Sequence, residues 1–329
     1  MFEENEISIN ANGGTELAKR HLARLLPQDL QSEFQIICSR VRELDESKIR
    51  IYWVHDLPDD PECNKLKDHN FRSKFHKIVY VSNWQYNMFR EKLGIPYSEN
   101  DIVIENGITP LDKSLHMNKK VNIIYTSTPQ RGLGILVPVF EKLAEHFSDD
   151  IHLHVFSSFK IYGWEDSDKH FQALYDKCND HKDITYHGFA QYETVREYLS
   201  TSDIFAYPCI WQETSCRALI EAMSAGLLCV HPNFAALPDT SGGLNLMYQG
   251  DSDHSIHANI FLQSLHSAIM QIKEKKLDNY LNYVKTYTDT RYNITKISNQ
   301  WEWVMRNLLS KYDTVESRKL EKDFLVFKI

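Results

Sequence analysis

Short apolar runs recur along this chain with amphipathic stretches between them, and no other feature limits its fold as strongly. The runs are FQIICSRV (34–41), IRIYWVH (49–55), KIVYVS (77–82), DIVIENG (101–107) and VNIIYTS (121–127), then IHLHVFSS (151–158), ITYHG (184–188), DIFAYP (203–208) and LLCVHP (227–232). Each is rich in β-branched or aromatic residues and has strand length, while the stretches between them carry helical periodicity. Strands and helices alternating in this way build parallel βαβ units, so the chain reads as α/β with two Rossmann-like sheets. Its 329 residues exceed one comfortable core, and the polar segment 108–120 suits a linker between two. The expected partition is an acceptor-side domain over 1–118, a nucleotide-sugar-binding domain over 119–300 and a helical tail over 301–329. That tail carries Trp301, Trp303, Leu308 and Leu309, available to pack back on the first domain.

Charge narrows the partners. Lys plus Arg total 37 against 45 Asp plus Glu, a net charge of −8. No concentrated cationic face is visible of the kind that displaces phosphate counterions, so nucleic acid is not expected as a partner. The six cysteines are scattered without CxxC spacing and read as reduced thiols,. The opening residues lack a basic start and an apolar core, and no apolar run approaches the ~20 residues of a membrane span, so a cytoplasmic location is expected. Lys19, Arg20 and Arg24 are expected opposite Leu17, Leu22, Leu25 and Leu26 on one helix, and Arg72, Lys74 and Lys77 form a second basic stretch. Such faces can touch an anionic membrane surface, although a solvated helix face is the simpler account.

The segment from Tyr207 to Gly226 bears most of the chemistry. A strand ends at Pro208, Thr214 or Ser215 can cap a helix, and Gly226 can stop it,. The helix N-terminus then emerges at the sheet's carboxyl edge, where free amides and the helix dipole favour a diphosphate. Glu213 precedes this helix and Glu221 lies two turns into it, so helical rise puts the carboxylates roughly 12 Å apart along the axis. That matches the span from a transferred sugar to a nucleotide's ribose; two glutamates on an ordinary amphipathic helix have the same spacing. Arg131-Gly132 follows the strand VNIIYTS, and an Arg fork beside a helix start suits a diphosphate leaving group, as it also suits a solvated loop. Gly13-Gly14 permits close backbone approach to a phosphate or sugar, as do many plain turns.

These segments, in this order, resemble the retaining GT-B-fold glycosyltransferases of the family 4 type, the glycosyl transferases group 1. The matching residues are Gly13-Gly14-Thr15-Glu16, Ser82-Asn83-Trp84, Asn106-Gly107-Ile108, Arg131-Gly132-Leu133, and Glu213 with Glu221. The resemblance implies two Rossmann-like domains facing each other across a cleft. It further implies that Glu221 holds the ribose, that the Thr214 and Ser215 amides and Arg131 hold the diphosphate, and that Glu213 contacts the donor sugar. Gly13 and Gly14 close on the donor, His55 faces the sugar, and Gly188 with Phe189 lies beside the base. Two departures stand out: only Ile7-Ser8-Ile9 precedes the Gly-Gly loop, so the first domain is abbreviated, and Arg131 stands where the family has a lysine.

Asp166-Ser167-Asp168 satisfies the DxD pattern by which another glycosyltransferase fold holds a metal-bridged diphosphate. It lies in a polar run rather than at an apolar strand end, so capping and solvation explain it better and no metal ligand is assigned. The expected activity is metal-independent hexosyl or pentosyl transfer with retention, as in polysaccharide biosynthesis. The donor is a UDP- or GDP-linked sugar, the acceptor a hydroxyl of a glycan, lipid-linked glycan or small molecule, and no cofactor is required. A sugar-nucleotide epimerase or a phosphorylase would use the same phosphate site, and so would a catalytically silent sugar-nucleotide-binding protein.

Overall fold

The computed structural model describes residues 1–2, 13–41, 43–114 and 120–320. Two compact units emerge, one built on Thr15–Gly107 together with the chain from Ile294 onward, the other on Ile108–Asn293. The sequence puts these boundaries at 118 and 300; residue 118 and the run Ile7-Ser8-Ile9 lie outside the described residues. The first boundary comes earlier for a physical reason. Ile108 and Leu111 are buried in the core of the second unit, and the Leu111 amide donates to Ser224 Oγ at 3.0 Å. The segment read as a linker therefore begins the second unit.

In the first unit the parallel strands β1 (Phe34–Cys38), β2 (Ile49–Val54), β3 (Lys77–Tyr80) and β4 (Asp101–Val103) pair in consecutive order. The helices are α1 (Gly14–Leu25), α2 (Gln28–Glu33), α3 (Pro61–Asn64), α4 (His69–Arg72) and α5 (Asn83–Leu93). Ser82 caps α5 by accepting the Gln85 amide at 3.0 Å, and Gly94 ends it in the left-handed conformation,. The buried stripe of α1 is Leu17, Ala18, Lys19 and Leu22, while Leu25 is exposed. Lys19 thus leaves the expected basic face, which retains Arg20 and the exposed Arg24.

The second unit holds six parallel strands, β5 (Val121–Thr126), β6 (Ile151–Phe156), β7 (Ile184–Gly188), β8 (Ile204–Ala206), β9 (Leu228–Pro232) and β10 (Leu246–Tyr248). The three-residue β10 is too short to have stood out in the sequence. Helices α6 (Leu133–Phe147), α7 (Gln172–Asp180), α8 (Tyr192–Thr201), α9 (Arg217–Ser224), α10 (Leu237–Ser241), α11 (His254–Lys273) and α12 (Asp278–Arg291) connect and flank them. Residues 121–125 of β5 and all of β9 are buried, the pattern of strands covered on both faces,. Strand order is β10-β9-β8-β5-β6-β7, so the chain winds outward from β5 through β6 and β7, then crosses back to β8. The order reverses between β5 and β8, and in doubly wound sheets such a switch point opens a crevice at the carboxyl ends of the strands.

The last helix, α13 (Ile294–Lys311), belongs to the first unit. Trp301 is 1% exposed and its ring lies 4.9 Å from that of Trp53 on β2. Trp303 is exposed instead, because two residues turn a helix through about 200°,. All six cysteines are free thiols, and among the described residues no helix is long and apolar enough to cross a membrane. Trp301→Ala should destabilise the protein by about 3–5 kcal/mol, the usual loss for a buried Trp truncation. Urea unfolding followed by circular dichroism checks this; a loss under about 1 kcal/mol would show that α13 is dispensable to the first core.

Candidate active site

Construction of the site starts where β5 ends. Thr128 accepts the Tyr125 hydroxyl at 2.8 Å through its carbonyl, and Pro129–Arg131 forms a single tight turn. Gly132 follows at φ 133°, and a Cβ there would meet the Pro208 carbonyl oxygen at 2.2 Å. Glycine is required both for this backbone conformation and for the close approach of the loop after β8. The Ile210 amide donates to the Arg131 carbonyl at 3.3 Å, joining the two loops on either side of the switch point.

The Arg131 side chain binds both loops and a third. Its Nη1 donates to Glu213 Oε1 at 2.5 Å, and its Nη2 to the Tyr162 hydroxyl at 3.2 Å. Glu213 is 6% exposed and also accepts the Tyr207 hydroxyl at 2.5 Å; Ser127 Oγ lies 3.4 Å from that hydroxyl. Burial works against the guanidinium charge, but the Glu213 carboxylate and nearby phenols outweigh it and raise the Arg131 pKa further,. Arg131 and Glu213 are therefore brought together directly.

Glu221 sits in a separate buried cluster. Its Oε1 accepts the Tyr192 hydroxyl at 2.7 Å and Arg217 Nε at 2.9 Å, and Arg217 and Arg196 both donate to Tyr192 Oη. The α9 helix begins only at Arg217, capped by the Cys216 backbone without a side-chain bond. Thr214 and Ser215 thus precede the helix rather than cap it, because the chain from Glu213 to Cys216 bends away from helical geometry. Helical rise consequently does not set the Glu213–Glu221 spacing. The C-terminus follows expectation: Gly226, at φ 77°, and Leu227 donate amides to Met223 and Ala222 carbonyls at 3.0 and 3.1 Å, closing α9 in a Schellman motif,.

Gly188 ends β7 at φ 60° and accepts the Ser157 amide at 3.0 Å. The Phe189 ring lies 5.9 Å from Lys160 Nζ. Gly13 is buried and Gly14 opens α1; within the first unit, His55 follows β2 with its amide donated to Ser39 Oγ at 2.9 Å. Burial, reinforced by the Lys19 charge, pushes the His55 pKa down to about 3, so its imidazole is neutral at pH 7,. Asp168 of the DxD run has become a staple: its carboxylate accepts Ser158 Oγ, the Phe159 amide and the Tyr175 hydroxyl. Asp166 is instead paired with Lys169 at the surface.

Residues 121–262 match the family model of the glycosyl transferases group 1. That segment is similar to the catalytic domain of the group 1 glycosyltransferases. None of the curated proteins matches the chain in sequence. Its fold is that of the GT-B glycosyltransferases. A glycosyltransferase from Rickettsia africae superposes at TM-score 0.65 with 13% identity, over 92% of this chain and 84% of that one. Sucrose-phosphate synthase from Thermosynechococcus elongatus gives 0.59 with 14% identity over 80% and 68%, and Anabaena HepE in complex with UDP and glucose gives 0.60 with 15% identity over 79% and 72%.

Within the matched segment, sequence reasoning passed over Tyr162, Tyr192, Tyr207 and Arg217. Arg217 and Glu221 stand at i and i+4, a spacing that could have flagged their pairing. Tyr192 has a local partner in Arg196 four residues on, but its acceptor Glu221 is 29 residues away, Tyr162 meets Arg131 31 residues away, and Tyr207 meets Glu213 across a strand-to-loop turn. Gly132→Ala should cost at least the 1–3 kcal/mol of a strained backbone and displace Arg131 from Glu213. Thermal unfolding measures the first effect; a variant within about 0.5 kcal/mol of the parent would contradict the close packing against Pro208.

Proposed function

We propose that this protein transfers a sugar from a nucleoside diphosphate donor to a hydroxyl acceptor, with the diphosphate bound at Arg131. The observation that carries this reading is the guanidinium held by buried Glu213 at the switch point of the segment that matches the group 1 family, where doubly wound sheets bind ligands,. The Thr214 and Ser215 amides and the start of α9 add donors for the diphosphate, Glu213 contacts the sugar, and Glu221 takes the ribose hydroxyls. Gly188 and Phe189 line the base, Gly13 and Gly14 give close backbone approach to the donor, and His55 serves as a neutral hydrogen-bonding group. UDP is the first nucleotide to test, because HepE is known with UDP-glucose bound.

In this scheme the bond from the anomeric carbon to the phosphate oxygen breaks as the acceptor oxygen attacks from the same face. The acceptor proton passes to the departing phosphate oxygen, and configuration is retained. Arg131 and the backbone amides stabilise the charge that grows on the diphosphate, so neither a divalent metal nor a cofactor takes part. Turnover should persist in excess chelator; complete loss restored by Mn²⁺ or Mg²⁺ would refute metal independence.

Arg131→Lys is the sharper test, since it keeps a cation for Glu213 while losing the planar fork. Turnover should fall more than donor affinity, by an amount within the roughly hundredfold to thousandfold range of a lost charge-stabilising donor. Steady-state kinetics with a panel of UDP- and GDP-sugars reads this out. Parent-like turnover at saturating donor would reduce Arg131 to a loop residue.

A further inference from the structure

Glu221 holds more than the arginine of an ordinary helical ion pair, and both of its donors fall on one oxygen. Oε1 accepts the Tyr192 hydroxyl at 2.7 Å and Arg217 Nε at 2.9 Å. A carboxylate oxygen has two acceptor sites, so Oε1 is filled. Among the described residues no donor is bonded to Oε2, although Glu221 is only 6% exposed. Folded proteins leave few such acceptors without a partner, because each one costs free energy.

The Tyr192 hydroxyl has nowhere else to turn. Its oxygen receives Arg217 Nη2 at 3.1 Å and Arg196 Nη1 at 3.3 Å, and a guanidinium only donates, so the single phenolic proton goes to Glu221,. Arg196 is itself anchored on the Thr109 and Pro110 carbonyls at 3.0 Å each. The carboxylate is thereby fixed from two sides, by Arg217 on its own helix α9 and by Tyr192 on α8. Tyr192 opens α8 soon after Gly188 and Phe189, so this clamp joins the segment read as lining the base to the helix that follows the Glu213 loop.

We propose that Tyr192 and Arg217 are positioning residues that fill Oε1 so that Oε2 alone reads the donor's ribose, which makes the site selective for ribonucleotides over 2′-deoxyribonucleotides. This rests on the reading of Glu221 as the group that takes the ribose hydroxyls. Two acceptor sites remain on Oε2, the number that a 2′,3′-diol fills. A 2′-deoxyribose leaves one of them empty beside a buried charge.

Titration calorimetry on the full chain with UDP, GDP and their 2′-deoxy forms tests this. The parent should bind its preferred ribonucleotide roughly tenfold to hundredfold more tightly than the 2′-deoxy form, the factor given by one lost hydrogen bond to a charged group. Tyr192→Phe opens a site on Oε1 and lets the carboxylate turn, so that ratio should fall below about threefold, chiefly through weaker binding of the ribonucleotide. Because both affinities are taken on one variant, a loss of folded protein scales them alike and leaves the ratio intact. Equal affinities in the parent would overturn the inference without any variant. A Tyr192→Phe ratio equal to the parent's would overturn the clamp and leave Glu221 as the ribose group. If neither UDP nor GDP binds the parent, the donor reading falls and the clamp falls with it.

Discussion

A half-buried guanidinium paired with a buried carboxylate holds the candidate site in shape. Glu213 would not be stable alone where it sits, since an isolated buried charge costs several kcal/mol, and its pairing with the half-buried Arg131 offsets most of that cost,. The Tyr207 hydroxyl shares the carboxylate and the Tyr162 hydroxyl shares the guanidinium, so four side chains from three loops converge on one ion pair. Such a pair adds little net stability, and its use lies elsewhere. In the proposed transfer it keeps a cation oriented at the sheet edge for the diphosphate, as preorganised charge stabilisation requires.

That ion pair depends in turn on strand order. Arg131 follows β5 and Glu213 follows β8, and these strands are neighbours only because the chain crosses back over β5 after completing β7. Gly132 lets the two loops touch, since any side chain there would strike the Pro208 carbonyl. The second acidic group, Glu221, is held by a different means. It is neutralised within α9 by Arg217 one turn before it and capped by Tyr192 from α8, so the two glutamates of the motif occupy distinct electrostatic settings.

The turn from Ser158 to Asp168 shows how one pattern can serve two ends. Asp-x-Asp can bind a metal when both carboxylates face one point, but here Asp168 is committed to three donors within its own fold while Asp166 faces solvent beside Lys169. The aspartate that resembles a ligand instead stiffens the turn bearing Tyr162. Sequence context favoured that outcome, because the run lacks an apolar strand to bury one carboxylate.

Local chemistry made much of this legible beforehand. Nine of the strands announced themselves as β-branched runs, Gly226 as a helix stop, and Arg131 and Glu213 as residues following strands, because hydrophobic periodicity and left-handed glycine are properties of short segments,. The start of α9 was misjudged at Thr214 or Ser215 because its cap, Cys216, offers no side-chain bond to read. Trp303, expected with Trp301 among the packing residues of the tail, is exposed because helical geometry sets the two more than half a turn apart,. Only tertiary structure could decide that residues 108–114 open the second unit, that the first unit takes the chain back as early as Ile294, and that Tyr162 and Tyr207 attend Arg131 and Glu213. Those outcomes rest on contacts between residues far apart in the chain, made when the sheet closes and buried charges must find partners, and no local spacing encodes them.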